Sequence, residues 1–535
     1  MRLAVIGAGP AGLTCVKQAL ADGHDVVCFE KHEDIGGIWN PASGGAYAGV
    51  RMQSSRMSMP FSDHPPAFTA DFPTQDEVQA YLRSYAAEPG LLDAVRFGHE
   101  VVRVAKDGEG WSVTARRQGG AEATERVDAV LVANGELWRS RLPAGGLPAP
   151  GTGVRVLTAP EYRGPSGFAG QRVLVVGGGV SGADIAADLA PHAARVDWSV
   201  RRRQLFLPRD IGGAYNDALF SYAGRVAVED VPYAEYLDWL TEWIPDYMRG
   251  YRATGLLPEA GFHGAVHVNE KIVPAVHDGG VHPVAAFDRF ADDGQVVLAD
   301  GTTGRYDTVV LCLGYEPPDY GFIELPGELA REDLYEHHFW RHDPTLAVVN
   351  TPVDTEAFGT ACPYFEAIAG WVLSVLGGKT ALPGPAERAE WCARHMSALH
   401  DRRYLDCWLE TVRYGLLSGT LPDPAVHFRA YWTVVSSQVD PANLRPGRAR
   451  PVPAVHDGRL DLDGVRHRVL AALPAGTRQR LLAAGEIDAS DLAAAERVPA
   501  GRELAPWLPY RQRETSATGP AGHAGAAGAA EGEAA

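Results

Sequence analysis

The sequence predicts an α/β protein with two dinucleotide-binding (Rossmann-like) domains and a helical C-terminal extension. Three observations carry that reading. A short apolar run, Leu3 to Ile6, leads into Gly7, Gly9 and Gly12 at G-x-G-x-x-G spacing. The pattern recurs where Arg172 to Val176 leads into Gly177, Gly179 and Gly182. Each copy continues into a small-residue helix and a second apolar strand, so the repeat is far more specific than a lone fingerprint.

In the first copy, Leu3 to Ile6 reads as a buried parallel strand. Gly7 permits the tight turn, Gly9 lets the backbone approach a pyrophosphate, and Gly12 lets the helix pack on the strand. Pro10 and Ala11 open a helix that runs to about Ala21, and its N-terminus offers free N–H groups and a positive dipole end. The second strand, Asp25 to Phe29, ends at Glu30 and Lys31. An acid there can accept hydrogen bonds from a ribose diol.

Beyond Gly36-Gly37-Ile38-Trp39, a glycine-rich loop leads to Met52-Gln53-Ser54-Ser55. An amphipathic helix follows near Thr74 to Tyr85, with Asp76 and Glu77 in its first turn. Strand-like runs then occupy Val95 to Phe97, His99 to Ala105 (with Val102 inside it) and Trp111 to Ala115. Ala129 to Val132 runs into Ala133-Asn134-Gly135. Leu142 to Gly153 is rich in proline and glycine and reads as a linker.

The second copy has Val180 and Ser181 at its helix start and a second strand over Val196 to Val200. Where the first copy has Glu30, this one has Arg201-Arg202-Arg203, with Ser199 just before. Arginine pairs bidentately with a 2′-phosphate that an acid would repel, so this site should prefer NADPH to NADH. An aromatic-rich insertion over about 205–285 has helical spacing and reads as packing core. Val284 to Phe287, Gln295 to Leu298 and the turn Asp300-Gly301 read as a small sheet. Asp307 to Leu313 runs into Gly314-Tyr315. Leu334-Tyr335 and Thr345 to Val349 return to the first domain, and helices follow near Tyr364 to Leu376 and Glu387 to Leu399. His337, His338 and His342 read as a surface turn. From Glu514 the chain holds little to bury and reads as disordered.

A formal net charge of −18 argues against nucleic acid or an anionic membrane as partner. No apolar run reaches the length of a membrane span, and the first strand begins too early for a signal peptide, so a cytoplasmic protein is expected. A homo-oligomer stays open. The six cysteines include no C-x-x-C pair, which argues against a disulfide framework, a zinc site or a redox-active cysteine pair; no metal site is expected.

Gly36-Gly37-Ile38-Trp39, the paired fingerprints, Y-L-R-S-Y at 81–85, G-W-S-V-T at 110–114, G-G-G-V-S-G-A-D-I-A at 177–186 and L-G-Y at 313–315 resemble class B flavoprotein monooxygenases. The match is to their flavin-containing monooxygenase branch. The resemblance implies FAD at the first fingerprint and NADPH at the second, whose domain is inserted in the first. It implies an FAD-binding part over 1–150, an NADPH-binding part over 151–315, a return segment over 316–400, a C-terminal extension over 401–513 and a disordered tail over 514–535. It also implies oxygenation of a small nitrogen or sulfur nucleophile by a peroxyflavin, such as an amine or amino acid in specialised metabolism. A Baeyer–Villiger ketone oxygenase and a hydrogen-peroxide-releasing NADPH oxidase or reductase are the alternatives.

Three departures mark a divergent branch. The linker signature F-x-G-x-x-x-H is absent, with Leu157 or Thr158 in the histidine's place. Ala-Asn-Gly replaces A-T-G at the first crossing. Gln53 aligns with the asparagine usually found over the flavin, and it is the residue expected to hydrogen-bond the oxygen donor or substrate.

Overall fold

Strand β1 (Arg2–Ile6) sends Leu3 and Val5 into one apolar core and Ala4 and Ile6 into another, which is why its run is apolar without alternation. In this computed structural model the described residues are 1–504, apart from 260–265, 328, 351–355, 359–360, 401–403, 446 and 449. Helix α1 (Pro10–Ala21) follows, then β2 (Asp25–Phe29), parallel to β1 with Arg2 opposite Asp25 and Ile6 opposite Phe29. Helix α2 (Gln75–Ala86) starts at a capping box in which Thr74 and Glu77 satisfy each other's backbone amides.

The chain continues through β3 (Val95–Arg96), β4 (His99–Asp107), β5 (Gly110–Arg117), β6 (Glu122–Val127) and β7 (Ala129–Val132). The seven-stranded sheet has the order Leu334–Tyr335, Phe339–Trp340, Leu346–Val348, β7, β1, β2, β3. A four-stranded sheet, Ile323–Glu324 with β4, β5 and β6, covers its other side through Val104, Trp111 and Val113. Strand β6 was not expected: its polar sequence and exposed face suit a sheet edge.

The second unit repeats the plan with β8 (Arg155–Thr158), β9 (Arg172–Val176), helix α3 (Val180–Leu189) and β10 (Arg195–Ser199). Its parallel sheet has the order Val281–Val284, β10, β9, Thr308–Leu311, β8. Between β10 and Val281 lie α4 (Tyr222–Ala227), α5 (Tyr233–Trp243), α6 (Pro245–Thr254) and α7 (Ile272–His277). Tyr236, Trp239, Leu240, Met248 and Tyr251 pack into the second unit's core, as their helical spacing predicts. The single strand expected over Val284 to Phe287 is instead a junction. Val281–Val284 ends in the parallel sheet, and Phe287–Phe290 begins an antiparallel sheet with Val296–Leu298 and Thr303–Gly304. Ser199 spans the junction: its hydroxyl donates to Ala285 O and accepts from Phe287 N, where the chain leaves the ladder.

Helix α8 (Cys362–Leu376) packs on α1, and helix Cys407–Leu417 packs on α8. Trp408, Phe428, Val465 and Leu470 form a further core with Tyr222 and Ala223 of α4. The expected surface turn at His337, His338 and His342 is corrected for two of the three. His337 is 4% and His338 0% exposed, because Trp371 of α8 and Tyr414 pack on His338 and Trp391 packs on His337. Only His342 is exposed. The disordered tail expected from Glu514 lies outside the described residues.

Candidate active site

The two glycine turns are built from the same contacts. Gly7 has φ +103, and a Cβ there would stand 2.4 Å from the Ala133 carbonyl oxygen. Gly177 has φ +128, and its Cβ would stand 2.2 Å from the Cys312 carbonyl oxygen. One helical turn on, a Cβ at Gly12 would meet Gly7 O at 1.8 Å, and one at Gly182 would meet Gly177 O at 2.0 Å. The crossings match too: Ala133 N donates to Ile6 O, and Cys312 N donates to Val176 O. These positions admit glycine alone, because neither the left-handed turn nor the helix–strand gap accommodates a side chain.

The middle glycines differ. A Cβ at Gly9 would approach only Gly37, at 3.6 Å, and one at Gly179 would meet nothing within 4 Å. No side chain caps α1 or α3, so the first N–H groups of each helix, Ala11 and Gly12 after the N–H-less Pro10 in one and Val180, Ser181 and Gly182 in the other, face this space. An uncapped helix end beside an open glycine face fits a pyrophosphate. Both turns therefore have the shape and polarity for a dinucleotide.

At the strand ends the chemistry diverges. Glu30 is 4% exposed and is held by Ala8 N at 2.7 Å and His32 N at 2.9 Å. Its carboxylate is thus pre-aimed at the turn, with acceptor capacity left over for a diol. Lys31 lies over the ring of Trp138 at 4.4 Å. Arg201 and Arg202 are exposed, and neither has an acidic partner among the described residues, whereas Arg203 pairs with Glu259. Ser199 is 2% exposed, and its hydroxyl is committed within the protein as described above.

Gly37, with φ +59, opens a short helical turn through Ile38 to Trp39. Trp39 packs on the first core, and Ile38 stands beside Gly45. Val102 is the extra residue of a bulge in β4, where pairing passes from Val101–Ala115 to Arg103–Thr114. The same strand starts beside the first unit's strand end, where His99 N donates to Glu30 O.

Gln53 is half-buried in a loop, next to Met52 at 7% exposure, and its side-chain amide makes no hydrogen bond to the described residues. The loop itself is fixed. Met52 N donates to Pro73 O, and Ser55 N donates to Asp217 at 2.6 Å. Ser58 also hydrogen-bonds Asp217, whose carboxyl burial pushes its pKa up. A rigid loop with one uncommitted amide is what a substrate-facing group needs.

The contacts of several residues here escaped sequence reasoning. Asn134 of the Ala-Asn-Gly crossing accepts from the Asn350 side chain, whose oxygen accepts from Gly135 N. Tyr47 and Asp184 bond across the two units at 2.7 Å. Thr158, in the signature histidine's place, caps a short helical turn through Glu161. None of these follows a periodic pattern, so only the fold brings them together.

Two nucleotide units with opposite charge at their strand ends define a two-dinucleotide oxidoreductase. The family described as Flavin-binding monooxygenase-like matches residues 1–414, and the chain belongs to that family. It is an NADPH-dependent flavin monooxygenase whose cofactors are FAD and NADPH. Flavin-containing monooxygenase 5 of Rattus norvegicus is 28% identical over 470 residues, covering 80% of this chain and 86% of its own. S-allyl-L-cysteine S-oxygenase from Allium sativum shares the fold with a TM-score of 0.56 at 22% identity, over 77% of this chain and 86% of its own. A caprolactone-bound cyclohexanone monooxygenase does so with a TM-score of 0.58 at 18% identity, over 78% and 98%. No described helix is long and apolar enough to cross a membrane.

Proposed function

We propose that this monooxygenase places one oxygen atom from O2 on a small nitrogen or sulfur nucleophile, with FAD on the first glycine turn and NADPH on the second. The observation that carries the allocation is the contrast at the strand ends: a buried, amide-held Glu30 against exposed Arg201 and Arg202, which have no acidic partner among the described residues. A carboxylate suits a ribose diol, and a guanidinium suits a 2′-phosphate. The division into parts at about 150, 315 and 400, given above, is part of the same reading, as is a cytoplasmic location.

When bound, the two cofactors supply hydride transfer and the activation of dioxygen. The chain's own part is holding and shielding. The amides at the starts of α1 and α3 hold the pyrophosphates, aided by Gly9 and Gly179. Gln53 offers an NH2 donor group and a carbonyl acceptor to the oxygen-bearing group or the substrate, and Asp217 holds its loop. Met52, Ile38 and Trp39 add apolar surface beside the loop, which limits water. Sulfur as a target has its parallel in the Allium S-allyl-L-cysteine S-oxygenase, a likeness of fold.

A panel of amines, sulfides and ketones, assayed for substrate-stimulated NADPH oxidation with mass-spectrometric product identification, tests the assignment. An N-oxide, hydroxylamine or sulfoxide is expected. Lactone or ester formation from ketones alone would move the reaction to the Baeyer–Villiger class. Hydrogen peroxide as the product with every compound would end the oxygenase reading of the substrate step.

A further inference from the structure

The helix that opens at the second glycine turn is gripped along one side by two tyrosines, and only one of them belongs to the second unit. Asp184 and Asp188 lie one turn apart on α3 and so share a face. Asp188 accepts from the Tyr162 hydroxyl at 2.5 Å, and Tyr162 follows β8 within the second unit's own sheet. Asp184 accepts from the Tyr47 hydroxyl at 2.7 Å, and Tyr47 comes from the glycine-rich loop of the first unit.

Tyr47 is 7% exposed and belongs to the second unit's core, with Tyr162, Val173 and Trp198. Its neighbour Ala48 donates to Tyr162 O at 3.0 Å. The other oxygen of Asp184 accepts from the Asn269 amide at 2.6 Å, and Asn269 in turn caps the start of α7 through Lys271 N and Ile272 N. Asp184 is therefore a half-buried carboxylate with both oxygens spoken for, one from each unit. It lies two residues beyond Gly182, where the pyrophosphate-facing amides end.

From this geometry we infer that Tyr47 is a positioning residue for hydride transfer: its hydrogen bond to Asp184 sets how the second dinucleotide lies relative to the first. The inference rests on the cofactor allocation given above. The loop that carries Tyr47 follows the Gly37–Trp39 turn, whose Gly37 lies against Gly9 of the first glycine turn, and continues to Gln53. One short segment thus touches the first turn, the second unit's helix and the loop proposed to face substrate. Hydride transfer depends on donor–acceptor placement at the ångström scale, so loss of the tie reaches the rate without touching either binding site.

The test compares Tyr47→Phe with Tyr162→Phe in the flavin-loaded full chain. Each removes one tyrosine–aspartate bond from the same face of α3, but only the first bond crosses between units. Tyr47→Phe should keep its flavin content and its NADP⁺ affinity, measured by flavin-fluorescence titration, within twofold of the parent. Its anaerobic flavin reduction by NADPH should slow about tenfold, with reduction by dithionite unchanged. Amide hydrogen exchange over residues 44–50 should rise severalfold. Tyr162→Phe should reduce at the parent rate.

Equal slowing in both variants would mean that the bonds merely stabilise α3, and parent-like reduction in Tyr47→Phe would overturn the inference directly. The allocation fails separately. If Arg201→Ala alters NADPH and NADH affinity equally, the second turn does not read the 2′-phosphate, whatever Tyr47 does.

Discussion

Replacing Gly182 and Gly179 by alanine, one at a time, separates packing from cofactor binding within four residues. At Gly182 the added Cβ would stand 2.0 Å from the Gly177 carbonyl oxygen, while real Cβ contacts do not fall below 3.0 Å. Helix and turn must therefore separate by about 1 Å, and both belong to the buried framework. Overpacking of that kind costs about 1–3 kcal/mol, partly offset by the ~1 kcal/mol that alanine gains over glycine inside a helix. At Gly179 the Cβ enters open space, and the backbone, at φ −87 and ψ −173, suits alanine without strain. Gly182→Ala should thus lower the thermal midpoint and weaken NADP⁺ binding together. Gly179→Ala should leave the midpoint within about a degree and raise the NADPH KM by tenfold or more, because the methyl occupies the pyrophosphate's place. Thermal melts and steady-state kinetics read both effects. Equal melting losses in the two variants, or an unaltered KM in Gly179→Ala, would refute the account.

Three further outcomes are expected. Arg201→Ala should raise the NADPH KM about tenfold and spare NADH, measured with each coenzyme in turn, since one bidentate charge pair contributes about 1.5–3 kcal/mol. Gln53→Ala should keep NADPH oxidation but divert it from product to hydrogen peroxide, read by a peroxide assay beside product analysis; unchanged coupling would make Gln53 an ordinary loop residue. Burial lowers the His338 pKa from 6.5 to about 4, so the unfolded chain binds a proton that the folded chain refuses between those values. This contribution is fully present above pH 6.5 and is lost as pH falls towards 4. Relative to the parent, His338→Gln should flatten the fall of unfolding free energy in that window by up to about 1.4 kcal/mol per pH unit, measured by urea titration.

The parallel strands and glycine turns were legible because each is a local rule. A buried parallel strand needs a continuous apolar run, and a turn that approaches a neighbouring carbonyl needs glycine. The capping box at Thr74 and Glu77 was half visible through the acidic first turn. Burial of His337 and His338 was not legible. They follow two residues of strand and precede two more, a context that reads as a polar turn, and only Trp371, Trp391 and Tyr414, all later in the chain, bury them. The tie between Tyr47 and Asp184 spans 137 residues and was equally hidden. The loop anchor from Ser55 to Asp217 spans 162. Such pairs have no spacing rule, so the framework of the site could be read but its fastenings could not.

The repeated glycine contacts also bear on how the two cofactors could be exchanged. Both turns close on a carbonyl oxygen at nearly the same distance, 2.4 Å from the Gly7 Cβ position and 2.2 Å from that of Gly177. As sockets they are close to interchangeable in shape. What tells them apart is the sign of charge at the far lip, carboxylate in one and guanidinium in the other. On the proposed allocation, retuning the enzyme to a different nicotinamide coenzyme is a matter of electrostatics at two or three exposed positions, with the moulded part of each socket left alone.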